Sequence, residues 1–239
     1  MTVLLIERDG PLTRLALNRP EKANALDAAL VDALLGAATT AAHDGTRLLV
    51  IEGHGRNLSA GFDFSGYEQA SAGDLLLRFV RIEQLLQTIY HAPYATLAFA
   101  HGHNFGAGVD LYAACAHRVA APDTTFRMPG LRFGVQLGTR RLAQRVGHEA
   151  ARSLLAESRT LCEDEALQLR LVQRVGSQDD RASVVREALE RAVALSSDAA
   201  ARLNAATTHD TRAADMADLV VSLSTPGLID RISHYRAKG

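Results

Sequence analysis

Only two cysteines occur in the 239 residues, Cys115 and Cys162, far apart and in apolar or helical surroundings, which excludes a disulfide framework and a cysteine-built metal site. No block of lysine and arginine appears, and the formal charges nearly cancel at −1, so a surface that tracks a phosphodiester backbone is excluded and nucleic acid is not an expected partner. No apolar run approaches the roughly 20 residues that a membrane span needs. Residues Met1 to Glu7 carry neither a basic leader region nor a long apolar core before turning strand-like. A soluble, unprocessed chain in a reducing cytoplasm, with no membrane contact, is the expectation. Strict repeats are absent at any fixed period. No grouping of His, Asp and Glu has metal-ligand spacing, and Gly102 to Gly108 lacks the G-x-G-x-x-G spacing and following acid of a dinucleotide fold.

What is present is alternation. Val3 to Ile6 and Leu12 to Leu17 read as two strands joined by the turn formers Arg8-Asp9-Gly10-Pro11. A helix follows over Asp27 to Ala42, with Leu30, Leu34 and Leu35 at helical spacing, and Asp44-Gly45 stops it before the apolar strand Leu48 to Ile51. A second long helix covers about Asp74 to Tyr90, with Leu77, Val80, Leu85 and Ile89 as its candidate core stripe, and Ala95 to Ala100 reads as a buried strand. Gly106 to Ala116 reads as a helix, Arg118 to Ala121 as a strand, and Thr139 to Glu157 as a helical stretch punctuated by Gly147. Such alternation predicts an α/β fold with a mainly parallel sheet covered by helices. Beyond Arg181 the strand signals stop; residues 182–239 are helical in pattern, with breaks at Ser196-Ser197-Asp198, His209-Asp210 and Thr225-Pro226-Gly227.

Four collinear segments carry a resemblance. They are Leu17 to Leu26; Val50 to Gly53 leading to Leu58-Ser59-Ala60-Gly61-Phe62-Asp63-Phe64; Ala100 to Leu111; and Leu142 to Val175, with Arg145-Val146-Gly147, Leu154-Leu155, Glu165-Ala166 and Leu171-Val172. In this order they resemble the crotonase (enoyl-CoA hydratase/isomerase) superfamily. The resemblance implies a crotonase-type spiral of ββα units over residues 1–181, a helical C-terminal trimerisation region over 182–239, and homotrimers or hexamers made as dimers of trimers. It implies an enzyme acting on an acyl-CoA thioester, with coenzyme A part of the substrate and no separate cofactor or metal.

Its mechanism follows from the chemistry of the thioester. Attack at, or proton removal beside, the carbonyl places charge on oxygen, and fixed N–H donors in a dry site stabilise it by roughly 2.7–4 kcal/mol each. By family position the donors are the backbone N–H groups of Ala60 and Ala107, within Ser59-Ala60-Gly61-Phe62-Asp63 and Gly106-Ala107-Gly108. Lys22, Ala23 and Ala25 fall where the family contacts the nucleotide end of coenzyme A, and Lys22 reads equally well as a solvated lysine.

One departure bears on the reaction. Family hydratases use two acids; Asp110 occupies the position of one, and Gly130, in Phe126-Arg127-Met128-Pro129-Gly130-Leu131, the position of the other. The loop Gly134 to Thr139 is also about three residues shorter than in typical hydratases. These features point to a single-acid isomerase or an atypical hydratase with Asp110 moving the proton. Another crotonase reaction (thioester hydrolysis, decarboxylation or C–C cleavage) and a non-catalytic acyl-CoA binder are the alternatives. His103 competes with Asp110 for the proton-transfer role, whereas His101 and His91 read as structural. A carboxylate held by Arg118 or by neighbouring N–H groups is the structural alternative for Asp110, and Tyr67 and Glu68 are expected to face solvent.

Overall fold

The N-terminal hairpin forms as the turn residues dictate: β1 (Leu4–Asp9) and β2 (Leu12–Leu17) pair antiparallel, with Gly10 at φ +53° between them. The coordinates are a computed structural model and describe residues 2–238. Helix α1 (Ala28–Ala41) starts at Asp27, whose carboxylate accepts from the Leu30 N–H at 2.8 Å, and leads to β3 (Leu48–Gly53). Helix α2 (Ala72–Tyr90) opens with a reciprocal Ser71–Asp74 capping box. Next come β4 (Ala95–Ala100), the short β5 (His103–Phe105), α3 (Ala107–Ala114) and β6 (His117–Ala120). Beyond them lie β7 (Thr125–Arg127), α4 (Thr139–Val146), α5 (His148–Glu157), β8 (Thr160–Cys162), α6 (Glu163–Gln168) and β9 (Arg174–Val175).

Two sheets result. The large one runs β1-β2-β3-β4-β6-β9, parallel throughout except for the β1–β2 hairpin; the small one runs β5-β7-β8. Side chains alternate across the large sheet. Leu49, Ile51, Ala98 and Ala100 join the main core with α1, α2 and α3, while Leu48, Val50, Leu97 and Phe99 face away. That second face is covered by Val184, Val185 and Ala188 of α7 (Arg181–Val193). Burial on both faces explains why these strands read as continuous apolar runs.

Four helices make up the C-terminal region: α7, α8 (Ser197–Thr207), α9 (Arg212–Ser224) and α10 (Leu228–Arg236), with breaks where the sequence places them. They wrap the spiral: α9 packs on α2, and α10 packs on the 3-10 turn Gly130–Phe133. One expected core stripe is corrected. Leu77 is 56% exposed, and the buried face of α2 is Leu75, Phe79, Ile82, Leu85, Leu86 and Ile89. Three successive leucines, Leu75 to Leu77, fit several helical phases, and packing selects the one that starts at Leu75. No helix among the described residues is long and apolar enough to cross a membrane.

Candidate active site

Two backbone segments meet at the centre of the molecule. The first is anchored by Asn24, which is fully buried: its Oδ1 accepts from the Arg19 N–H at 2.9 Å, and its Nδ2 donates to the carbonyls of His54 and Asn57 at 2.8 and 2.9 Å. Asn24 and Ala23 both lie in the left-handed region, φ +54° and +50°, which turns the chain tightly before α1. Across this turn runs Ser59 to Asp63, whose amides are almost all committed. The Ser59 N–H donates to Asn104 Oδ1 at 3.2 Å, that of Ala60 to the Ala23 carbonyl at 2.9 Å, that of Gly61 to Ser59 Oγ at 3.1 Å, and that of Asp63 to the Leu26 carbonyl at 3.2 Å. Only the Phe62 N–H has no acceptor among the described residues. This corrects the expected donor: Ala60 lines the cavity described below, but its N–H is already consumed, and the free amide lies two residues on.

The second segment is the entry to α3. Gly106, φ +46°, donates its N–H to the Arg127 carbonyl at 2.8 Å, and the Ala107 N–H, in the first helical turn, has no acceptor among the described residues. The two segments touch because of glycine. A side chain on Gly61 (φ +82°) would run into the Phe105 carbonyl and come within 3.1 Å of the Ala107 nitrogen. A side chain on Gly108 would run into the Ser59 backbone. These close approaches bring Phe62 and Ala107 to the wall of one cavity, at the positive end of the α3 dipole.

That cavity, about 280 Å³, is mostly apolar, with aromatic walls from Phe62, Phe64, Phe79, Phe105, Phe133 and Tyr235. Phe62 stacks on Phe79 at 4.2 Å between ring centroids, and the Arg78 guanidinium lies over the Phe62 ring, 4.4 Å from its centroid, while donating to the Asp63 carbonyl. Tyr235 of α10 closes one side.

Asp110 is the only carboxylic acid in the lining. It is 4% exposed, its Oδ1 has no hydrogen-bond partner among the described residues, and it lies one helical turn from Ala107 on the same side of α3. Burial raises its carboxyl well above the ordinary carboxylate range; Arg141 opposes that shift and Glu83 adds to it. The carboxyl presses on Gly138 (φ +64°), where any side chain would collide with it, just before the first residue of α4. Arg118 is not its partner. That guanidinium bonds the carbonyls of Cys115, Ala116 and Leu171 at the opposite end of α3, each at 2.9 Å.

Of the other expected residues, Gly130 lines the cavity and presents no proton-transfer group. Lys22 is exposed and outside the lining; Ala23 and Ala25 act through their carbonyls, which accept from the Ala60 N–H and the Arg19 guanidinium. Asp63 fixes the turn: burial raises its carboxyl, but hydrogen bonds from Ser65 and Arg19 outweigh this and hold it below the usual range. His103 is exposed, 2.8 Å from Thr125 Oγ1, and does not line the cavity. His101 and His91 lie outside it as well; burial lowers the basicity of both. Tyr67 corrects an expectation, being buried with its hydroxyl 3.1 Å from Ser233 of α10, while Glu68 is exposed as expected.

Two features escaped the sequence reading. Thr139 lines the cavity, and its hydroxyl is buried without a partner. Behind Asp110, Arg141 is 2% exposed and grips Glu83 of α2 through two bonds of 2.9 and 2.5 Å, with Asp215 of α9 at 3.2 Å. Arg140 extends this network to Asp215 and Asp218. Adjacent arginines and a glutamate inside an apolar helix face are the sequence traces of it.

A ββα spiral whose glycines draw two backbone segments onto an enclosed apolar pocket defines a crotonase-type fold. The sequence model described as enoyl-CoA hydratase/isomerase matches residues 7–224, and the chain belongs to that family. A probable enoyl-CoA hydratase of Mycobacterium leprae is 33% identical over 183 residues, covering 74% of this chain and 72% of the relative. One of Bacillus subtilis is 32% identical over 200 residues, covering 82% and 75%. A Bordetella parapertussis crystal structure assigned to enoyl-CoA hydratase/isomerase superposes with a TM-score of 0.99 at 46% identity, covering 100% of both chains. The protein is therefore an enzyme of the hydratase/isomerase family.

Proposed function

We propose that this enzyme binds an acyl-CoA thioester with its carbonyl oxygen between the Phe62 and Ala107 amides, and that Asp110 moves one proton on the acyl chain. The observation that carries this reading is the pairing of two uncommitted amides with one buried, unpartnered acid across a single apolar pocket. In double-bond isomerisation, ionised Asp110 takes a proton from C2 of a 3-enoyl thioester. The electrons pass to the thioester oxygen, where the two amides hold the charge, and Asp110 returns the proton at C4 to leave the 2-enoyl product. Burial supports this role, because a carboxylate with raised basicity is a better match to a carbon acid than a solvated one. The absence of a side chain at Gly130 favours a one-proton exchange over two-acid hydration. Coenzyme A enters as part of the substrate, and this proton transfer needs no further cofactor.

A family trimer, or a hexamer built from trimers, is part of the same proposal. It is supported by the exposed apolar side chains Val193, Leu195, Leu203 and Val221 in the C-terminal region. Sedimentation would read that state directly.

Incubation with matched 2- and 3-enoyl-CoA substrates, followed by product analysis, tests the chemistry. The expected product from 3-enoyl-CoA is its 2-enoyl isomer, with turnover reduced on the order of 10²–10⁴-fold in Asp110→Asn. Undiminished turnover in that variant would remove the role from Asp110. A 3-hydroxyacyl product would identify an atypical hydratase, free CoA a hydrolase, and tight binding without turnover a binder.

A further inference from the structure

The Gly61–Phe62 peptide is pinned at its carbonyl end, where the Leu26 N–H donates to the Gly61 oxygen at 2.7 Å. A trans peptide is planar, with its C=O and N–H on opposite edges, so this bond turns the Phe62 N–H away from Leu26. The N–H end is then steadied by whatever grips Phe62 itself and the residue after it. Arg78 of α2 touches both. Its guanidinium lies over the Phe62 ring, 4.4 Å from the centroid, and donates to the Asp63 carbonyl. The Asp63 N–H adds a bond to the Leu26 carbonyl at 3.2 Å, so the bridge to Leu26 and the grip from α2 bracket Phe62 between them.

The charge on Arg78 is not used in an ion pair. Arg19 is matched to Asp27 and Asp63, at 3.2 and 2.9 Å, and Arg81 to Asp32 at 2.6 Å, whereas Arg78 has no such pairing among the described residues. It is half-buried, and burial lowers its basicity, with Asp63 and Asp27 opposing that shift. Taking an unpaired charge out of water is unfavourable, and a methionine could pack against Phe62 without that penalty. What methionine lacks is a donor for the Asp63 carbonyl. A guanidinium offers a planar cation for an aromatic face and N–H donors for a carbonyl in one rigid group.

We infer that Arg78 is a positioning residue: by holding the Phe62 ring and the Asp63 carbonyl with one rigid group, it keeps the Phe62 N–H aimed at the thioester oxygen. Arg78 does not line the cavity, so it acts through Phe62 and not on the substrate. This deepens the proposed function and rests on its assignment of the Phe62 N–H as a donor. It explains why a half-buried arginine without a carboxylate partner is kept beside the aromatic wall.

Steady-state kinetics on 3-enoyl-CoA, with isotope-edited infrared spectra of bound butanoyl-CoA carrying a carbon-13 carbonyl, test it in the full-length wild type, Arg78→Met and Arg78→Lys. In the wild type, binding should lower the carbonyl stretching frequency, because hydrogen bonds from the two amides weaken the C=O bond. Arg78→Met should show a smaller lowering at saturating ligand and a kcat reduced by about 10–10²-fold with KM unchanged, the pattern of a misaimed group used in the transition state. Arg78→Lys, which keeps the charge and a donor for the Asp63 carbonyl but not the flat face, should recover part of both. An arginine that only stabilised the fold would move the melting temperature and leave the carbonyl frequency of bound ligand where it is. An unaltered frequency or kcat in Arg78→Met, or in Arg78→Lys should the methionine variant not fold, overturns the assignment and leaves the proposed function standing; a loss confined to KM does the same. Wild type that does not bind butanoyl-CoA, or binds it without any lowering, overturns both.

Discussion

The two sides of the cavity are built on opposite principles. On the amide side every backbone N–H from Ser59 to Asp63 except that of Phe62 has an acceptor among the described residues, and side chains such as Asn24, Asn104 and Ser59 serve only to hold main chain. On the acid side, Asp110 Oδ1 and Thr139 Oγ1 are buried with no partner among the described residues, Gly130 has no side chain, and a buried charge network stands behind. In the proposed function the amide side is the part that holds charge on one oxygen without reorganising as that charge develops. One scaffold can thus keep its electrostatic half constant while the reaction is set by the few residues facing it.

Breaking the amide side should have the largest effect. Gly61→Val forces a side chain into the Phe105 carbonyl at a positive φ, separates the two segments and removes the common oxygen site. Loss of one such donor costs about 10²–10³ in turnover, so displacement of both is expected to drop kcat on the order of 10⁴-fold or more in a direct assay. Asp110→Asn comes next, with the 10²–10⁴-fold loss expected for a proton-transfer group.

The same residue gives a pH signature. Because the folded carboxyl holds its proton more tightly than the unfolded one, stability is fully retained below the ordinary carboxylate value and declines as pH rises through the raised folded value. Wild-type denaturant midpoints should therefore fall with rising pH over that window, and those of Asp110→Asn should fall less. Activity should run the other way in wild type, since the base must be ionised: its acid limb should lie above the usual carboxylate range.

Arg141→Met probes the charge network. It leaves Glu83 buried without its guanidinium, and chemical denaturation should show a loss of about 3–5 kcal/mol, a change in stability rather than in the amide pair. Gly130→Glu is the mildest change. A Cβ there meets only the Val135 carbonyl at 3.0 Å, so the variant should fold and place a second carboxyl in the cavity. A modest gain in 3-hydroxyacyl product from 2-enoyl-CoA, below roughly 10²-fold because nothing yet orients the new acid, is the expected outcome of a hydration assay.

Legibility in the sequence followed the same division. Strand Ala95–Ala100 and the helix pair split at Gly147 form where composition and punctuation put them, because long apolar periods and glycine act locally. The three-residue strands of the small sheet left no readable period, being too short to display one. The acid position at Asp110 and the gap at Gly130 were legible as residue types. Which amide stays free was not: that depends on the Ala23 carbonyl reaching Ala60, a contact made across 37 positions of chain. Tyr67 was misplaced for a similar reason, since its hydroxyl meets Ser233 of α10, 166 positions away in the chain.

The central claim is that the Phe62 and Ala107 amides share one thioester oxygen. A crystal structure with a bound non-reactive acyl-CoA analogue measures this directly. The account predicts the carbonyl oxygen within about 2.7–3.1 Å of both nitrogens, with the acyl chain running towards Asp110. A thioester bound with its oxygen away from both amides, or with Phe62 N–H turned to another partner, would contradict it.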